Sequence, residues 1–229
     1  MTAGLIAALD STDPHLVQRW AEEVGPHCGL IKLGLEYFLA NGAAGFRAVG
    51  DVPVFLDLKL HDIPNTVAGA VRAILPLRPA MLTLHAAGGA AMITAARNAC
   101  EPAGDARPIL LAVTVLTSLD AEALHATGVA GGPRQQVLRL ARLALDAGAD
   151  GLVCSAHEVA MLRDALGSTP VLVVPGIRPA GSDRGDQART MTPREASDAG
   201  ADWLVVGRPI TKSPNPGQAA AAILAELVA

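Results

Sequence analysis

The chain has 229 residues, 51% of them apolar and only 3% aromatic, and a formal net charge of −4. That length suits one large α/β domain or two small ones with an aliphatic core. The negative balance argues against a general nucleic-acid binder, which usually presents a basic face, and no run of 18 uncharged apolar residues reads as a membrane span.

The first ten residues, through Ala-Ala-Leu-Asp10, lack a basic stretch and begin folding material at once, so no signal peptide is expected. The three cysteines, Cys28, Cys100 and Cys154, form no CxxC pair and read as buried free thiols in a reducing cytoplasm. Short apolar runs predict strands at Leu5–Leu9, Gly29–Leu33, Val54–Leu60, Met81–His85, Ile109–Leu116, Gly151–Ser155, Val171–Pro175 and Trp203–Gly207. Apolar 3–4 spacing between them predicts helices such as His15–Val24, Thr66–Leu75, Arg134–Ala147 and Gln218–Val228. Eight alternating β/α units in this length predict a (β/α)₈ TIM barrel, as a single domain over 1–229. A doubly wound open sheet is the alternative, but it would usually use fewer strands. The echo between Asp146-Ala-Gly-Ala-Asp150 and Asp198-Ala-Gly-Ala-Asp202 reads as two helix stops, each feeding a strand.

In a barrel the chemistry belongs at the C-terminal ends of the strands. Those ends carry Asp10, Lys32, the run Asp57-Leu-Lys59-Leu-His-Asp62, His85, Thr117-Ser118, Gly176-Ile-Arg178 and Gly207-Arg208. Polar groups are expected to be scarce at the opposite end. Strand alternation puts Asp57 and Lys59 on one face with Phe55, and Val54, Leu56, Leu58 and Leu60 on the other. Opposite charges at the end of an apolar strand are costly to desolvate unless they pair or work. Asp62, just past the strand, can bring a second carboxylate near the Lys59 ammonium. With Asp10 and Lys32 the array becomes Asp–Lys–Asp–Lys–Asp, a place for proton chemistry. A purely structural ion-pair network is the competing reading, but such a network gains little over apolar packing.

Gly176 to Arg178 and Gly207-Arg208 stand at two consecutive strand ends, where this fold usually holds phosphate. Surface arginine explains either alone; their joint position favours the phosphate. Arg178–Thr190 is polar and long for a βα loop, and reads as a lid. The six histidines show no metal-binding spacing, and the two lysines already supply positive charge, so no metal is expected. His61 reads as a structural hydrogen bonder in a turn, His85 as a wall or filler of the barrel. Ser155 and His157 lack an acidic partner for a nucleophilic triad.

The run Phe-Leu-Asp57-Leu-Lys59-Leu-His-Asp62-Ile-Pro-Asn-Thr66-Val resembles the signature of the orotidine 5'-phosphate decarboxylase family. The resemblance extends over nearly the whole chain. It includes Ala-Leu-Asp10, Ile-Lys32-Leu-Gly, Val-Leu-Thr117-Ser, Val-Pro-Gly-Ile-Arg178-Pro with Gln187 downstream, and Val-Val-Gly207-Arg208-Pro-Ile-Thr. It implies a cofactor-free decarboxylase that converts orotidine 5'-monophosphate to UMP. It also implies a homodimer in which Asp62 and Thr66 reach into the neighbour's site. By position, Lys59 would donate the proton and Asp57 flank the departing carboxylate. Asp10 and Lys32 would hold ribose hydroxyls, and Thr117 the pyrimidine. Arg178, Gly207 and Arg208 would bind phosphate, and Gln187 would bridge phosphate and base. The rivals are a metal-dependent sugar-phosphate decarboxylase or aldolase of the same superfamily, which looks to need a carboxylate where Lys32 stands, and a non-catalytic nucleotide-phosphate-binding barrel.

Overall fold

The computed structural model of the chain describes residues 2–179 and 191–228. Among these residues the strands are β1 (Gly4–Ala8), β2 (Leu30–Gly34), β3 (Val54–Leu60), β4 (Met81–His85), β5 (Ile109–Val113), β6 (Gly151–Val153), β7 (Val171–Val174) and β8 (Trp203–Val206). All neighbours are parallel, and β1 pairs with both β2 and β8, which closes the barrel. The intervening helices are α1 (Pro14–Val24), α2 (Leu35–Ala48), α3 (Pro64–Ile74), α4 (Gly89–Cys100), α5 (Ala121–Ala126), α6 (Pro133–Asp146), α7 (Val159–Leu166), α8 (Pro193–Asp198), α9 (Arg208–Thr211) and α10 (Pro216–Val228).

Local chemistry explains the boundaries. The Asp13 carboxylate accepts from the N–H groups of His15 and Leu16 and caps α1, with Pro14 in its first turn. Val17, Ala21 and Val24 then form its buried stripe. β3 and β4 span the ranges expected from sequence. β5 ends at Val113 rather than Leu116, because the chain turns there; the Leu119 N–H donates to the Leu116 carbonyl at 2.9 Å.

Two apolar layers result. Ile6, Ala8, Leu30, Phe55, Met81, Leu111, Val173 and Val205 fill the barrel interior, while the alternate strand residues pack outward against the helices. Trp203 plugs the N-terminal end of the barrel. A Cβ at Gly4 or Gly29 would fall 2.4 Å or 2.6 Å from its ring, so both positions need glycine.

The expected scarcity of polar groups at that end is not observed. Asp150 accepts from both Arg107 guanidinium nitrogens (2.7 and 2.9 Å), from Arg97 (3.0 Å) and from the Leu110 N–H (2.8 Å). Asp202 repeats the motif with Arg163 at 2.6 Å and the Leu172 N–H at 2.7 Å. The sequence echo therefore has a physical purpose. Gly148 and Gly200 end their helices at φ of +100° and +104°, and each following aspartate ties a neighbouring strand to a helix. The aspartates are placed by their partners rather than by hydropathy, which is why composition at strand starts misled.

Candidate active site

Lys32, Asp57 and Thr83 stand two residues beyond Leu30, Phe55 and Met81, which line the barrel interior. Period-two alternation therefore turns all three inward, one layer nearer the C-terminal mouth. Lys59 arrives differently. The β3–β4 register shifts between Leu56 and Leu60, and Lys59 has φ +50°, in the left-handed region. A non-glycine residue there costs roughly 1–3 kcal/mol, and such strain persists only when neighbours enforce it. Here the Lys59 N–H donates to Thr83 Oγ1 at 2.8 Å, and Lys59 Nζ donates to both Asp57 oxygens at 2.9 Å. The alternation rule paired Asp57 with Lys59 on one face; a bulge, rather than a regular strand, brings them together.

The charge array is observed over four of its five members. Lys32 Nζ lies 3.3 Å from Asp10 Oδ1 and 3.7 Å from Asp57 Oδ2. The Asp57 side chain is only 12% exposed. Burial pushes its carboxyl up, but Lys32, Lys59 and the Thr83 hydroxyl together outweigh burial and hold it below the ordinary value. The fifth member differs from expectation. Within its own chain Asp62 accepts from the adjacent Ile63 N–H at 2.6 Å, is exposed, and joins no ion pair among the described residues. Thr66 is also exposed, in the first turn of α3.

A cavity of about 180 Å³ opens over the Asp57–Lys59 pair, with Phe55, Val113, Thr117, Val153 and Pro175 in its wall. A larger one, about 600 Å³, shares Lys32, Pro175 and Val205 with it and extends past Asp10 to Gly176, Arg178, Gly207 and Arg208. Arg178 is buried and donates to the Ile177 carbonyl at 2.8 Å. Gly176 takes φ +80°, which suits a glycine and lets the backbone bend around the cavity. The two adjoining regions thus run from the Asp57–Lys59 pair to the arginines Arg178 and Arg208. Gln187 and most of the expected lid, with Asp183, Arg184 and Asp186, lie outside the described residues.

The remaining expectations divide. His61 makes no side-chain hydrogen bond among the described residues; its ring packs against His85, centroids 5.4 Å apart. Its turn leaves it exposed to solvent, and a tilted contact between the two rings, 42° apart, takes the place of the expected hydrogen bond. Both histidines line a neighbouring pocket with Leu124 and Leu140. Burial, then the charges of His61 and Lys59, hold His85 below the ordinary imidazole value. Among the described residues the buried Ser155 Oγ has no hydrogen-bond partner, and Glu158 accepts from the Ser155 N–H at 2.9 Å. Cys100 and Cys154 are buried, but Cys28 is only partly so; burial nevertheless pushes its thiol up to about 12. No helix among the described residues is long and apolar enough to cross a membrane.

Three residues escaped the sequence reading. Trp20 and Lys212 line the basic cavity from α1 and from just beyond α9. Thr83 backs the charged pair, and a polar residue in the middle of β4, in phase with Met81 and His85, was the available signal.

Residues 4–223 match the family model described as orotidine 5'-phosphate decarboxylase / HUMPS family. The chain is 58% identical over 227 residues to an orotidine 5'-phosphate decarboxylase of Gluconobacter oxydans, covering 97% of this chain and 96% of that protein. It is 54% identical over 230 residues to one of Thermobifida fusca, covering 99% and 97%. The crystal structure of orotidine 5'-phosphate decarboxylase from Lactobacillus acidophilus superposes with a TM-score of 0.88 at 37% identity, over 99% of this chain and 100% of that one. With a closed eight-stranded barrel, a lysine–aspartate array at its mouth and near full-length matches at these identities, the chain belongs to the orotidine 5'-phosphate decarboxylase / HUMPS family.

Proposed function

We propose that this chain, as one barrel over 1–229, converts orotidine 5'-monophosphate to UMP and carbon dioxide, the closing step of pyrimidine nucleotide synthesis, without metal or organic cofactor. The observation that carries this reading is the Lys59 ammonium held 2.9 Å from both oxygens of a largely buried Asp57, in a cavity that adjoins a larger one lined by Arg178 and Arg208. The phosphate occupies the basic end, at Arg178, Gly207 and Arg208, with Gln187 bridging to the base. The ribose hydroxyls meet Asp10 and Lys32, and the pyrimidine meets Thr117. This order sets the ring carbon C6 over Lys59 and its carboxylate beside Asp57.

The bond from C6 to the carboxylate then breaks. Its electron pair stays on C6, carbon dioxide leaves, and Lys59 Nζ delivers a proton to C6; solvent later restores the lysine. A carbanion at C6 has poor delocalisation, so the ammonium supplies both the stabilising charge and the acid. A unit-charge pair at ~4 Å is worth about 4 kcal/mol at an effective dielectric near 20. Asp57 adds a differential effect, since its repulsion with the substrate carboxylate vanishes as carbon dioxide departs.

A homodimer completes the site in this reading. Asp62 and Thr66 are both exposed, as is Ile63, 67% accessible, as residues presented to a neighbour would be. The enzyme would work in the cytoplasm. A metal-dependent sugar-phosphate enzyme of the same family is disfavoured by Lys32, whose ammonium already sits between Asp10 and Asp57. Pure protein mixed with orotidine 5'-monophosphate, with EDTA and no added metal, should show loss of pyrimidine absorbance. Turnover that appears only with a divalent cation, or none at all, defeats the proposal.

A further inference from the structure

We infer that Thr83 is a positioning residue that sets the geometry of the Asp57–Lys59 pair, an inference that rests on the decarboxylase reading above. Its hydroxyl has one donor and room for two acceptances, and both roles are used at short range. A backbone N–H can only donate, so the Lys59 N–H, at 2.8 Å, fixes the oxygen as acceptor there. An ionised carboxylate can only accept, so the hydroxyl proton points to Asp57 Oδ1, at 2.9 Å. One atom therefore ties the backbone of the proton donor to the carboxylate beside it.

The need for such a tie is visible in β3. Lys59 sits at φ +50° within a register shift, a conformation that a lysine does not choose. The β3–β4 register skips Lys59, and its amide donates to Thr83 on the neighbouring strand. Thr83 is itself fully buried on β4, between Leu82 and Leu84, so its rotamer is held by packing. It is not part of the cavity wall, which separates it from the groups that touch substrate. The hydroxyl also contributes to keeping Asp57 ionised, alongside the two lysines.

The test compares wild type with Thr83→Val, Thr83→Ala and Thr83→Ser, using orotidine 5'-monophosphate without metal. Valine keeps the shape and loses the hydroxyl; serine keeps the hydroxyl; alanine removes the chemistry from a smaller side chain should valine not fold. Valine and alanine should lower kcat roughly tenfold to a hundredfold, the scale of a small misplacement of reacting groups, with KM within about threefold. Serine should stay within about threefold of wild type in kcat. The acid limb of the kcat/KM profile should move to higher pH in valine and alanine, because ionised Asp57 loses a hydrogen bond. A role in packing alone would move stability but leave this profile in place. Valine or alanine turning over within a factor of about two of wild type, or an unmoved acid limb, overturns the inference. Wild-type protein that leaves the substrate unchanged overturns the decarboxylase reading instead.

Discussion

Replacing Asp150 by asparagine should destabilise the barrel more than the same change at Asp202, and the structure sets the ratio. The Asp150 side chain is 21% exposed and accepts three guanidinium bonds and one backbone N–H. Asparagine removes the charge and turns donors against donors, leaving Arg97 and Arg107 facing each other. Breaking a buried pair costs about 3–5 kcal/mol, and the partial exposure of both arginines reduces this to about 2–4 kcal/mol. The Asp202 side chain is 42% exposed, with one guanidinium bond and one N–H, so about 1–2 kcal/mol is expected there. Urea unfolding at pH 7 measures both. The pH dependence has a definite sign. Burial raises the Asp150 carboxyl, but Arg107, the Leu110 N–H and Arg97 outweigh it and hold it below its ordinary value. A depressed carboxyl contributes stability that is full above the unfolded value, about 3.9, and is lost as pH falls through the folded one. The gap between wild type and Asp150→Asn should therefore be widest near pH 7 and shrink on acidification below about 4. Equal losses at the two aspartates, or a gap that grows with acid, would refute the reasoning.

Lys59→Ala should abolish turnover while binding of UMP, measured by calorimetry, survives, because the phosphate contacts lie at the other end of the cavity; near-normal turnover counts against Lys59 as the acid. Mixing Lys59→Ala with Asp62→Ala should restore activity if Asp62 serves the neighbour's site, since one site of each mixed dimer is then intact, about a quarter of all sites at equal mixing; a mixture as inactive as its parts removes Asp62 from that role. Gly29→Ala places a Cβ 2.6 Å from the Trp203 ring and should cost roughly 1–3 kcal/mol in urea unfolding, with kcat unchanged; an unaltered midpoint would show that the plug yields freely.

Local pattern carried much of this molecule. The eight strands, their order and the placement of polar residues at their C-terminal ends follow from alternation and from apolar 3.6-residue spacing, which depend only on neighbours in the chain. The spacing of Asp57 and Lys59 was legible for the same reason, as were the two Gly–Arg ends. Three features were not. The left-handed backbone at Lys59 requires a register shift against β4 and a hydroxyl from Thr83, 24 residues away. The ion pairs at the N-terminal end join Asp150 to Arg97 across 53 positions, which no window of sequence displays. The Asp62 carboxylate, near Lys59 in sequence, turns instead to its own backbone, because α3 begins two residues later and carries the chain away. Periodicity decides which face a side chain takes; which distant partner waits on that face is decided only when the barrel closes and fixes strand register.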